Sequence, residues 1–255
     1  MNSKLRERWA PVLTAAALLA VWQLGCSLFS IADYIFPSPL TIVQAMREFA
    51  GPIAEAAWKT FWVTMLGFAI AIVVGVLLGF LVGSSRLAYA ALYPLLIGFN
   101  AVPKAALVPI LIVWFGIGLG PGILTAFLIS FFPITVNIAT GLATLEPELE
   151  DVLRVLGAKR WDVLVKVGLP RSMPYFYASL KVAITLAFVG TVLAEMTAGD
   201  SGIGYLMQTA GSQQRMPLAF AGLVAIGVMA MTMYELFSVI EKRTTGWAHR
   251  GTQGG

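Results

Sequence analysis

The chain has 255 residues, of which 58% are hydrophobic and 12% charged, with a net charge of +4, one cysteine and one histidine. Soluble domains carry about 25% charged residues, so this composition and a mean hydropathy of +0.83 exclude one and mark an integral membrane protein. A single cysteine excludes an intramolecular disulfide or thiolate metal cluster, and one His beside one Cys argues against a membrane-embedded enzyme.

Lys4, Arg6 and Arg8 make residues 1–9 a basic N-terminal segment ahead of the apolar run Ala10–Phe29. That start superficially resembles a secretory or lipoprotein signal. Gln23 and Leu24 fit lipid attachment at Cys26 poorly, however, and Trp22 and Phe29 extend the run towards a true span. Cys26 reads as a small apolar packing residue. The second span, Phe61–Gly83, carries Gly67, Ala71, Gly75, Gly79 and Gly83 at every fourth position, a face that lets a neighbouring helix approach closely. A neighbour in the same chain is the expectation.

Ala105 to Leu145 is free of charge, yet as one helix it would run about 60 Å, twice the hydrocarbon thickness. It must fold back, and Gly116-Ile117-Gly118-Leu119-Gly120-Pro121-Gly122 is where turn formers allow it. The third and fourth spans are then Leu92–Phe115 and Gly122–Ala143, followed by a charged island at 146–171, a fifth span Tyr175–Ala198, a sixth Leu218–Ile240 and a tail at 242–255. The expected fold is an all-α polytopic membrane protein whose transmembrane domain covers 10–241. Six spans place both termini on one side. Lys4, Arg6, Arg8, Arg86, Arg154, Lys159, Arg160, Lys166, Arg171, Lys242, Arg243 and Arg250 collect on that side and only Arg47, Lys59 and Arg215 on the other, so the first is expected to be cytoplasmic. The pI near 9.3 thus reflects topology rather than nucleic-acid binding.

Within the island, Pro147 suits a first helical turn, and Glu148, Glu150 and Asp151 favour the positive end of its dipole. Leu149, Val152, Leu153 and Leu156 share one face, and Gly157 stands where a left-handed residue ends a helix. A second short helix is expected from Ala158, with Trp161, Leu164 and Val165 on one face, stopping at Gly168 and Pro170.

Asp151-Val152-Leu153, Gly157 and Val167-Gly168-Leu169-Pro170 have the spacing of the cytoplasmic loop of ABC importer permeases, which usually reads Glu-Ala-Ala, Gly, Ile-x-Leu-Pro. The chain resembles that family, and Phe36-Pro37-Ser38-Pro39, Trp114-Phe115-Gly116-Ile117-Gly118, Phe131-Phe132-Pro133, Leu156-Gly157-Ala158-Lys159-Arg160-Trp161 and Ser201-Gly202-Ile203-Gly204-Tyr205-Leu206 look like its aliphatic sulfonate, taurine and nitrate branch. The resemblance implies a homodimer in the bacterial plasma membrane, served by an extracytoplasmic binding protein. It also implies a separate ATPase subunit that binds the ATP and Mg. Asp151, Val152, Leu153, Leu156, Gly157, Ala158, Trp161, Leu169 and Pro170 would then couple the two subunits. No Gly-x-x-x-x-Gly-Lys-Ser/Thr loop occurs in the sequence, so energy is expected to come from that partner. The bland alternative for the island is an amphipathic helix lying on lipid.

Asn100, Lys104, Asn137 and Glu195 are the polar groups in or near spans that suggest a translocation pathway. Lys104 stands between Pro103 and Pro109, where a proline-broken helix frees carbonyls, and it is placed to attract an anion. The opposing reading pairs Lys104 with Glu195 between helices. Lys181 is expected to snorkel, and His249 to be solvated. An ion-gradient-driven secondary transporter is the rival class, but it would show paired, inverted broken helices with acids at mid-membrane.

Overall fold

A computed structural model describes residues 3–143, 152 and 155–245; among these it is helical, without strands. Helix α1 (Ser3–Leu28) contains an apolar window, Trp9–Leu28, close to the expected first span. It meets the rest of the chain at its C-terminal end. There the Trp22 ring lies 5.3 Å from Phe36 and 6.5 Å from Phe220, the Gln23 side chain accepts the Leu40 N–H at 3.1 Å, and Cys26 is buried. The short helix α2 (Pro39–Glu48) is set by Pro39 in its first turn and by Ser38, whose hydroxyl accepts the Thr41 N–H.

Helix α3 (Ala50–Gly83) starts well before the Phe61 expected from hydropathy, and its 34 residues span about 50 Å. Pro52 permits the extension because a first-turn proline has no helical N–H bond to lose. Trp58, Phe61 and Trp62, with ring centroids 5.5–6.1 Å apart, mark where α3 leaves the apolar layer, as interfacial aromatics do.

The sequence-predicted third span is a bent pair. Helix α4 (Arg86–Ala101) ends before Pro103, a 3-10 turn covers Lys104–Leu107, and α5 (Val108–Phe115) continues after a 70° bend. Pro103 cannot donate to α4, and Pro109 sits in the first turn of α5. Gly116 (φ +77°) and Gly118 (φ +133°) then reverse the chain into α6 (Leu119–Ala143), as the turn formers foretold.

The expected glycine stripe packs within the chain, parallel to α6 at a constant offset. Methyl groups on Gly67, Gly75, Gly79 and Gly83 would come within 2.9 Å of Ala126, Ile134, Ile138 and Leu142 respectively. Next to α3, α6 also meets the antiparallel α7 (Leu169–Ala198), where a methyl on Gly190 would come 2.9 Å from the Thr125 carbonyl. Ile134, Ile184, Ala187 and Phe188 fill the core between α6 and α7. Buried Thr125, Ser130, Thr135 and Thr191 return their hydroxyls to the carbonyl four residues back, so none is left unpaired in an apolar layer.

Beyond α7, α8 (Gly202–Ser212) precedes α9 (Met216–Thr244), which also packs on α2. Among the described residues five helices are long and apolar enough to span a membrane, and the bent pair makes six if it crosses as one broken span. The protein is an all-α polytopic membrane protein, with five to six membrane-spanning segments among the described residues.

Candidate functional site

The charged island joins the ends of α6 and α7. Asp151 and Leu153 lie outside the described residues, as do 144–150 and Arg154. Val152 and Val155 are helical, Leu156 begins the turn, and all three are exposed, Leu156 by 77% and Val155 by 88%. Gly157 follows with φ +87°, the left-handed conformation expected at that position, and no atom stands within 4 Å of where its Cβ would be. Ala158 and Lys159 are irregular, and Trp161 sits in the helical turn Arg160–Val163.

The second short helix does not stop at Gly168 and Pro170 as expected. A π-helical turn, Leu164–Gly168, carries it into α7, which starts at Leu169 rather than Tyr175. Pro170 occupies the first turn of α7, where a missing N–H is harmless. The wider turn also changes the faces: Val163 is buried and Val165 exposed. Lys166 meets Asp162 at 2.9 Å and holds that carboxyl below the usual carboxylate range.

At the far end of the bundle, Glu195 closes a buried hydrogen-bond node. The Thr60 hydroxyl lies 2.9 Å from both Glu195 carboxylate oxygens and accepts the Ile203 N–H at 2.8 Å, while the Gly204 N–H donates to Glu195 Oε2 at 2.9 Å. The first N–H groups of a helix have no partner within it. Here Thr60 and Glu195 supply partners to two of these in α8, Ile203 and Gly204, and tie it to α3 and α7. Gly202, at φ +92°, makes room for this: a methyl group there would fall on the Glu195 carboxylate. One turn deeper, Thr64 meets Thr191 at 2.9 Å.

Glu195 therefore makes no ion pair with Lys104. Lys104 Nζ instead donates to the Asn100 side-chain oxygen at 2.6 Å and the Asn100 carbonyl at 2.9 Å, and lies 5.9 Å from the Phe132 ring centre. Asn137 donates within its own helix, to the Pro133 carbonyl at 2.8 Å. Of the candidate pathway residues, only Asn100 and Lys104 are brought together.

Sequence reasoning missed Thr60 and Thr64, although both continue the glycine face of α3 towards its N-terminus. It also missed that Lys181 pairs with Glu241 at 2.6 Å beside the Tyr234 ring. Lys181 does not snorkel. Its side chain is 18% exposed and that of Glu241 13%, so an acid at the end of the next span takes the charge that water would have taken.

Residues 71–246, well over half of the chain, match the family of binding-protein-dependent transport system inner membrane components. A Haemophilus influenzae protein named as an ABC transporter permease is 33% identical over 88% of this chain and 91% of its own length. The taurine transport system permease protein TauC of Escherichia coli is 27% identical, with coverage of 96% and 94%. Among solved structures, an inward-facing MetNI methionine ABC transporter superposes with a TM-score of 0.67 at 16% identity, covering 77% of this chain and 98% of that one, and so shares the fold. With its membrane-spanning helices and this family match, the chain belongs to the binding-protein-dependent transport system inner membrane components, the permease subunits of ABC importers.

Proposed function

We propose that the island at 146–171 is the segment through which a separate ATPase subunit drives this permease, that ATP and Mg reside on that partner, and that two copies of the chain enclose the pathway. The island end of the bundle is cytoplasmic, as are both termini, and the far end receives a small solute from an extracytoplasmic binding protein. The carrying observation is the run of exposed Val152, Val155 and Leu156 ending at Gly157 with φ +87°. Apolar side chains beside charges, on a segment without close packing around its glycine, suit insertion into a groove on another protein. Asp151, Leu153, Ala158, Trp161, Leu169 and Pro170 complete the proposed contact.

Gly157 acts as an elbow that relays movement of the docked segment to α7. Gly157→Val forces a β-branched residue into left-handed backbone. The variant is expected to reach the membrane and copurify with the ATPase, but to hydrolyse ATP without uptake. Wild-type uptake by Gly157→Val would refute the elbow, and wild-type protein that never carries an ATPase out of the membrane would refute the docking.

A further inference from the structure

Among the described residues, a cation stands halfway through the bundle with no carboxylate to meet it. Phe132, the ring beside Lys104, lies at the middle of the 25-residue α6. Among the described residues the other paired lysines have acids, Lys59 with Glu55, Lys166 with Asp162 and Lys181 with Glu241, whereas Lys104 has only the two oxygens of Asn100. The break supplies one of these oxygens. In an unbroken helix the Asn100 carbonyl would accept the Lys104 N–H, but α4 ends at Ala101 and Lys104 turns its ammonium back onto that carbonyl. An ammonium has three protons to donate. Two are engaged here, and the third, with the full positive charge, is available.

The surroundings of this charge are open. No residue of α4 is buried, and Asn100, Ala101, Val102, Pro103, Ala105 and Ala106 are exposed around a half-buried Lys104. A charge at this depth is strongly disfavoured against acyl chains, and charged residues in spans face a bundle interior or a water-filled cavity. Asn100 puts a second polar group on the same face, and small residues leave space beside it.

We propose that Lys104 and Asn100 form an anion subsite at the bend between α4 and α5, where the anionic group of a solute rests during transit. The subsite rests on the two-copy pathway proposed above. Lys104 supplies the charge. Asn100 holds the ammonium in place and leaves its own amide group free to donate to the same anion.

The test replaces Cys26 by Ser and introduces a reporter thiol by Ala105→Cys, with Ala106→Cys as a second reporter should the first not fold. Membranes are treated with the anionic 2-sulfonatoethyl methanethiosulfonate or its cationic trimethylammonioethyl counterpart, and the two modification rates are compared. The anionic reagent is expected to react faster. Lys104→Gln, which keeps a donor for the Asn100 carbonyl but removes the charge, should lower the anion-to-cation rate ratio by roughly tenfold, as expected for a unit charge several ångströms away, while Lys104→Arg preserves it. A ratio unmoved by Lys104→Gln, or reporter thiols that neither reagent reaches, would overturn the subsite. The assay needs no ATPase: an intact ratio with failed copurification would overturn the docking proposal alone, and a flat ratio with intact copurification only the subsite.

Discussion

Removing one hydroxyl from the far-end node should destabilise the bundle more than its size suggests. Thr60→Val keeps the shape of the side chain and deletes the oxygen that both donates to Glu195 and accepts from the Ile203 N–H. Two buried groups then lose a partner: the Ile203 amide keeps none of the contact described, and Glu195 keeps only the Gly204 N–H. At about 1–3 kcal/mol for each orphaned group, the loss is about 2–6 kcal/mol. Side-chain hydrogen bonds in membrane proteins average about 0.6 kcal/mol, because the unfolded chain in lipid also finds partners. The orphaned amide decides between these figures, since it is fixed at the start of α8 and valine offers it nothing. The expected loss is therefore at least ~2 kcal/mol. Reversible unfolding in mixed detergent micelles measures it, with Thr60→Ser as the control that retains the hydroxyl. A Thr60→Val variant within about 0.5 kcal/mol of Thr60→Ser would refute the node as a source of stability.

Gly79→Ala places a methyl 2.8 Å from Ile138 Cβ and the Thr135 carbonyl, so α3 and α6 must part, and a loss of about 1–3 kcal/mol is expected. Gly98→Ala, with nothing within 4 Å, should instead gain up to about 1 kcal/mol; equal melting temperatures for the two variants would contradict the stripe's role. Lys181→Met leaves Glu241 largely buried without its cation and should cost about 3–5 kcal/mol, whereas the Lys181→Met, Glu241→Met double variant should recover most of it. A double variant as unstable as the single one would show that the pair does not act as a unit. Gly202→Ala combines φ +92° with a collision on Glu195, and its loss in the same unfolding assay should match or exceed that of Thr60→Val.

Hydropathy and glycine spacing made the bundle legible because lipid imposes simple demands. Apolar length sets the spans, and small residues mark close helix contacts, so the α3 stripe was visible before its partner α6 was known. Gly157 was legible for a local reason, since its left-handed backbone belongs to the residue after a helix. The sequence reading failed where partners lie far apart along the chain. Lys181 gives no local hint of Glu241, and Thr60 none of Glu195 or the start of α8, because only folding decides which hydroxyl meets which carboxylate. The start of α7 was misplaced for a third reason: Gly168 and Pro170 look like a helix stop, but a π-helical turn puts the proline in a first turn, where it does no harm.

The missing side chains along α3 also limit how this bundle can flex. With Gly67, Gly75, Gly79 and Gly83 seated directly against the α6 backbone, a slide of less than one helical turn would drive α6 side chains into the flanks of the groove rather than along its floor. The two helices therefore have separate seats a full turn apart and no smooth travel between them. Gly190 fixes α7 to α6 in the same manner, and Thr64 and Thr191 close the contact between α7 and α3. The three together form a stiff wedge, and compliance in this subunit falls to the bend between α4 and α5, where the regular helical ladder is already interrupted.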